Sequence, residues 1–383
     1  MKPLGFAVVL AAMPATAFTQ LSASTRPEAS LREIFSPYFS IGFGTEHVSG
    51  AREDLLRHHA SSVSCENSLK ARALRPAADK WNWEKADAWV DWATSLGLDP
   101  VGHTLVWCYR MPEWLLDQIK LGKLTKAEAL RWQDEHIRSV LGRYEDRIRT
   151  WDVVNEALSD APASDDTLLR SDPWSDLCGE DYIIEAFRSA RAAAPNARLI
   201  YNDYNLEMPA KRARLFRLLR RLEAEGCRPD AIGIQCHGNL EAPTIADLQA
   251  AIVEIHAAGY PVHITELDVS VYSWKAGANL QIRAYDARTD EGYAVLPDEI
   301  QQRLAGRYRD LFSVFLRHAD KIGRVSFWNI DDGNTWLRNW PVRGRLNYPL
   351  LFDAQQRPKP AFDSVVSLVE NPKAPAPGKH SQP

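Results

Sequence analysis

Short apolar runs, rich in β-branched and aromatic residues, alternate along this chain with longer stretches whose apolar positions recur every three or four residues. The short runs predict strands over 39–44, 62–65, 101–107, 148–154, 198–201, 231–234, 262–267 and 325–328. The longer stretches predict helices over 31–38, 51–59, 83–96, 125–143, 182–194, 211–225, 246–258, 299–318 and 358–368. In the helix over 83–96, Ala86, Trp89, Val90 and Ala93 repeat at helical spacing, and Gly97 ends it. Eight strands alternating with helices predict a parallel sheet closed into a (β/α)8 TIM barrel, an α/β fold with one domain over 31–370. No glycine-rich loop follows the first strand, which argues against an open dinucleotide-binding sheet. Residues 160–181, acidic and proline-bearing, and 271–297, without periodicity, read as long loops.

The strand ends break the apolar pattern in a consistent way. Strand four runs into Asn155 and Glu156, and strand seven delivers Glu266 and Asp268. Glu66, Asn67 and Lys70 follow strand two, while His103 and Trp107 share one face of strand three. Strand five ends at Asn202, Asp203 and Tyr204, strand six at Gln235 and His237, and strand eight at Trp328, with Trp336 in the loop beyond. Buried polar groups need partners, so a purely structural barrel gains nothing from this arrangement. A hydroxyl-rich ligand at the C-terminal mouth, where barrel enzymes keep their chemistry, would supply those partners. Plainer readings stand beside this one. His103 would suit a core, Trp328 and Trp336 plain packing, Lys70 a solvated surface, and Asp203 a turn cap outside the catalytic set.

Composition narrows the function. The 383 residues carry 46 basic and 50 acidic side chains, a balance that gives no reason to expect nucleic acid or an anionic membrane as partner. Thirteen tryptophans exceed what a core requires, and aromatic faces are platforms for the apolar faces of sugar rings. Lys2, the apolar run from Leu4 to Ala12 and Ala15-Thr16-Ala17 read as a signal peptide over 1–17, placing the protein outside the cytoplasm, secreted or periplasmic. A loose leader over 18–30 and a disordered proline-rich tail over 371–383 flank the domain. No segment is long enough to span a bilayer. The cysteines, Cys65, Cys108, Cys178, Cys227 and Cys236, are odd in number and lack metal-site spacing. They read mainly as packing residues, and no metal or cofactor is expected.

Seven stretches together carry a family resemblance: Glu66 to Lys70, His103 to Trp107, Trp151 to Leu158, Tyr201 to Asn205, Ile234 to His237, Ile264 to Val269, and Phe327 to Trp336. The chain resembles glycoside hydrolase family 10, the β-1,4-xylanases, over nearly all of its mature length. The resemblance implies Glu156 as general acid/base and Glu266 as nucleophile of a retaining hydrolysis. It implies Asn155 as a contact to the sugar 2-hydroxyl, and His237 with Asp268 as the pair that keeps Glu266 ionised. Asn67, Lys70, His103, Trp107, Gln235, Trp328 and Trp336 would bind the sugar on the glycone side, with Glu66 a further candidate. The implied substrate is xylan or xylo-oligosaccharide, cleaved by a monomer. The chain departs from the family at Ala71, Cys108-Tyr109-Arg110, Cys236, Gly238 and Asn329, all away from the carboxylate pair. Arg110 is thereby a candidate contact for an acidic decoration. A glycosidase of another β-1,4-glycan, such as cellulose, and a non-catalytic carbohydrate-binding protein on the same barrel are the alternatives. A metal hydrolase would need a clustered His/Asp set that the sequence lacks.

Overall fold

The computed structural model describes residues 29–274 and 292–370. The expected signal peptide and tail, almost all of the leader and most of the 271–297 loop lie outside the described residues. Ser30 already belongs to the fold, its side chain capping the helix Leu31–Phe35.

Nine strands run in chain order: β1 (Ser40–Thr45), β2 (Ser62–Cys65), β3 (Asp99–Val106), β4 (Thr150–Asn155), β5 (Arg198–Asp203), β6 (Ala231–Ile234), β7 (His237–Asn239), β8 (Val262–Ser270) and β9 (Ile322–Trp328). Every pairing is parallel. β1 joins β2 and β9, and β6 joins β8, so eight strands close the expected barrel. The ninth, β7, is a three-residue rung on the outer end of β8, with His237 opposite Asp268. Three residues cannot display a period of two, so nothing in the pattern announced it. Cys236, at φ 61°, turns the chain between β6 and β7.

The strand ends needed the largest correction. β8 was expected to stop at 267 but continues to Ser270, buried throughout. Asp268 looks like a polar exit from the sheet, yet it lies inside a paired strand. β7 covers the outer residues, and side-chain partners hold both Glu266 oxygens and Asp268 Oδ2. Most predicted helices stand within a residue or two of their observed bounds. The one at Lys126–Tyr144 opens with a reciprocal capping box between Thr125 and Glu128. Three helices were missed: Ala71–Leu74, Glu113–Lys120 and Pro173–Cys178. The last sits inside the segment read as an acidic loop. It is too short for a period, but Asp172 followed by Pro173 is an N-terminal signal, and Asp172 accepts from Trp174 and Ser175 backbone N–H groups.

Large apolar side chains fill the space between barrel and helices, Trp89 and Trp151 among them. At Gly44 an added Cβ would stand 2.3 Å from the Trp328 ring, so the glycine is what lets that ring lie against β1 at the barrel mouth. All five cysteines are free thiols. Among the described residues, no helix is long and apolar enough to cross a membrane, and no cluster could hold a metal ion.

Candidate active site

The C-terminal ends of β4, β5, β6 and β8 converge on one hydrogen-bonded hub. Glu156 leaves β4 at φ 59°, in the left-handed region that non-glycine residues seldom occupy. Its backbone N–H donates to the Asn202 carbonyl at 2.9 Å, which fixes that turn against β5. Trp107 Nε1 donates to its Oε2 at 3.0 Å, and Gln235 Nε2 to its Oε1 at 3.0 Å. On the facing side, Asn202 Nδ2 donates to Glu266 Oε1 at 2.7 Å. Asn155 Oδ1 joins the two halves, accepting from Asn202 Nδ2 at 2.9 Å and Gln235 Nε2 at 3.2 Å. Both carboxyls are buried.

Their surroundings differ in charge. Burial pushes the Glu156 carboxyl above the ordinary glutamate range, and the charges of Asp203 and Glu266 add to the rise against Arg170 and the Gln235 hydrogen bond. Burial also acts on Glu266, but the hydrogen bond from His237, the charges of His103 and His237 and the Asn202 amide outweigh it, so Glu266 lies below that range. His237 resists its own burial because Asp268 and Glu266 flank it, and it is raised to about 10. Its Nε2 lies 3.3 Å from Glu266 Oε2 and its Nδ1 3.0 Å from Asp268 Oδ2. Trp336 Nε1 donates to the same Asp268 oxygen at 2.7 Å. A carboxyl pushed toward its protonated form thus faces one pushed toward its ionised form. Those are the two states needed to protonate a leaving oxygen and attack the carbon it leaves.

One wall of the cleft is built from β2 and β3. His103 Nδ1 pairs with Asp152 at 2.8 Å, and the His103 ring meets Trp328 edge-on at 5.2 Å. The Trp107 ring has Lys70 Nζ at 4.7 Å and the Arg110 guanidinium at 5.3 Å. Burial and the Arg110 charge lower Lys70 to about 8, against the opposing pull of Glu266 and Glu66. Asn67 is exposed, and its backbone N–H donates to Glu46 Oε1 at 2.5 Å. Glu46, at the end of β1, thus anchors the loop that presents Asn67 and Lys70. Asn329 takes φ 77°. Asparagine tolerates that conformation, and its side chain uses it. Oδ1 accepts the Trp336 N–H at 3.0 Å, and Nδ2 donates to Glu66 at 3.3 Å. Glu66 is therefore tied to the loop carrying Trp336.

The sequence profile of the family described as Glycosyl hydrolase family 10 matches residues 30–368. The chain belongs to glycosyl hydrolase family 10. A β-1,4-xylanase of Dictyoglomus thermophilum is 38% identical over 340 residues, which span 88% of this chain and 91% of that protein. An endo-1,4-β-xylanase of Geobacillus stearothermophilus is 37% identical, spanning 88% of this chain and 98% of its own. Among solved structures, a xylanase of Paenibacillus barcinonensis in complex with a conduramine derivative superposes with a TM-score of 0.81 at 35% identity. That match covers 89% of this chain and 99% of the other.

Within this family 10 barrel, sequence reasoning left out two groups. Asn202 was noted at its strand end but given no role, although its amide spans both halves of the hub and its Oδ1 accepts from Thr265 at 2.6 Å. The signal was the buried polar residue opposite Asn155 in the β4–β5 register. Asp203 acts as a clamp. It accepts from Tyr201 at 2.6 Å and from the Leu158 N–H at 3.3 Å, with Lys211 Nζ 2.8 Å away. It holds the segment after Glu156 in place. Asn202→Ala is expected to lower kcat about 10–100-fold, the range for a lost hydrogen bond to a charged group. The acid limb of the pH profile should also move upward, because the amide no longer favours the Glu266 carboxylate. A KM-only change in steady-state kinetics would refute this role.

Proposed function

We propose that this chain is an endo-acting, retaining β-1,4-xylan hydrolase. In the first step Glu266 attacks the anomeric carbon while the protonated Glu156 gives its proton to the departing sugar oxygen. In the second step the Glu156 carboxylate takes a proton from water as that water displaces Glu266. Asn155 binds the 2-hydroxyl at the cleavage point, and His237 with Asp268 holds Glu266 ionised. Glu66, Asn67, Lys70, His103, Trp107, Gln235, Trp328 and Trp336 form the glycone-side contacts. The observation that carries this reading is the opposite displacement of two buried carboxyls on one shared amide network. The names of the relatives support the substrate. Residues 1–17 act as the signal for export to the periplasm or medium, and 31–370 form the catalytic domain.

A product time course on xylan, xylohexaose and carboxymethyl cellulose, followed by proton NMR, tests the reading. Xylan and xylohexaose are expected to fall to short oligosaccharides, with the β-anomer appearing first, in chelator as in plain buffer. First appearance of the α-anomer would exclude the double displacement, and preference for carboxymethyl cellulose would exclude xylan as the substrate.

A further inference from the structure

The opposite end of the barrel holds a polar cavity that the hydrolysis does not use. It measures about 740 Å³ and opens between the N-terminal ends of the strands. Ser62, His263 and Arg324 line its inner part, and Arg149 and Arg198 stand at its exposed rim. Arg324 is 4% exposed. Its Nε and Nη2 are enclosed without a hydrogen-bond partner, and so are Ser62 Oγ and His263 Nδ1. Among the described residues no carboxylate forms an ion pair with Arg324. Asp152, which favours its charge, spends Oδ2 on His103 at 2.8 Å. Asp99 and Asp146 also line the cavity but are exposed, and Arg147 is engaged by Asp91.

An enclosed guanidinium whose Nε and Nη2 make no hydrogen bond is a costly thing to fold around, even with the Asp152 charge in its favour. Burial lowers Arg324 to about 10, against Asp152, which leaves it cationic at neutral pH. We infer that this cavity is a binding site for a compact tetrahedral oxyanion, inorganic phosphate or sulfate, held on Arg324 and closed from the rim by Arg198. A guanidinium fork matches two oxygens of such an ion, and the Ser62 hydroxyl and a neutral His263 offer two further donors. A second cation at the rim suits a dianion better than a monocarboxylate. The N-terminal face of a barrel bears on stability rather than chemistry, so the occupant should register in the melting temperature.

Titration calorimetry with inorganic phosphate at pH 7, at constant ionic strength, tests this directly on the full chain. Saturable binding of one ion per chain is expected, with sulfate competing and acetate not. The Tm should rise by roughly 2–4 °C and then level off. Arg324→Met is expected to abolish the binding. It should fold, because an apolar chain of similar volume replaces an unpaired buried charge. Arg198→Ala, at the exposed rim, is expected to weaken binding at least 5-fold while xylan hydrolysis stays unchanged, and it keeps the test decisive if Arg324→Met does not fold. No saturable heat, equal binding by wild type and Arg198→Ala, or acetate binding as well as phosphate would overturn the site. None of these outcomes bears on the glycosidase reading.

Discussion

Glu266→Ala is expected to lower kcat on xylan by about 10⁴-fold or more, with residual turnover independent of the leaving group. The residue sits inside β8 with its oxygens held by Asn202 at 2.7 Å and His237 at 3.3 Å. Among the described residues no other carboxylate is held by both Asn202 and His237, so no neighbour can form the covalent intermediate in its place. The same surroundings fix the acid side of the pH profile. Protonation of Glu266 stops attack, so kcat/KM falls as pH drops through its pKa. Because that pKa is displaced downward, the acid limb should lie below the ordinary glutamate range. Replacing the partner rather than the nucleophile separates the two effects. Asp268→Asn removes one of the two charges that hold His237 cationic, so the His237 pKa should fall from about 10, read by NMR titration of the imidazole. Steady-state rates on xylan from pH 3 to 9 decide the Glu266 assignment. Wild-type turnover by Glu266→Ala, or an unmoved His237 titration in Asp268→Asn, would contradict the assignments.

How much of this was legible in the sequence depended on what each element had to hide. β2 and β6 were placed to the residue because each is a short buried run with sharp polar borders. β4 and β8 were placed but stopped short at their C-terminal ends, since Asn155 and Asp268 are polar residues inside paired strands. A hydropathy pattern reads such residues as an exit. The carboxylate pair was legible because two buried strands each carried a glutamate with no structural use for it. Asn202 was not, because an asparagine at a strand end has common turn and capping uses. Arg170 was invisible for a different reason. It lies in an acidic segment with no period, and only the fold brings its Nη2 within 3.0 Å of Tyr204 and its charge to bear on Glu156. The cavity around Arg324 depends likewise on strands distant in sequence, so no local spacing could reveal it.

Glu156→Ala is expected to behave differently from the nucleophile variant, and the difference is the sharper test of roles. Loss of the acid removes proton donation to the leaving oxygen, so a xylan or aryl substrate with a basic leaving group should lose about 10²–10⁴-fold in kcat/KM. A dinitrophenyl xylobioside needs no proton, and its first step should change by less than about 10-fold. Its second step still lacks a base to activate water, so kcat should fall while a rapid burst of dinitrophenol marks the trapped intermediate. The pH profile carries a sign as well. Glu156 must be protonated for the first step, so wild-type kcat/KM declines as pH rises through its upward-displaced pKa. In the variant that basic limb should disappear, leaving the acid limb of Glu266 in place. Trp107 and Gln235 hold the Glu156 carboxyl at 3.0 Å each, so a shortened side chain leaves two donors facing an empty position beside Asn155. A rate loss that is uniform across leaving groups, with no burst and the basic limb intact, would mean that Glu156 only shapes the cleft and that another group delivers the proton.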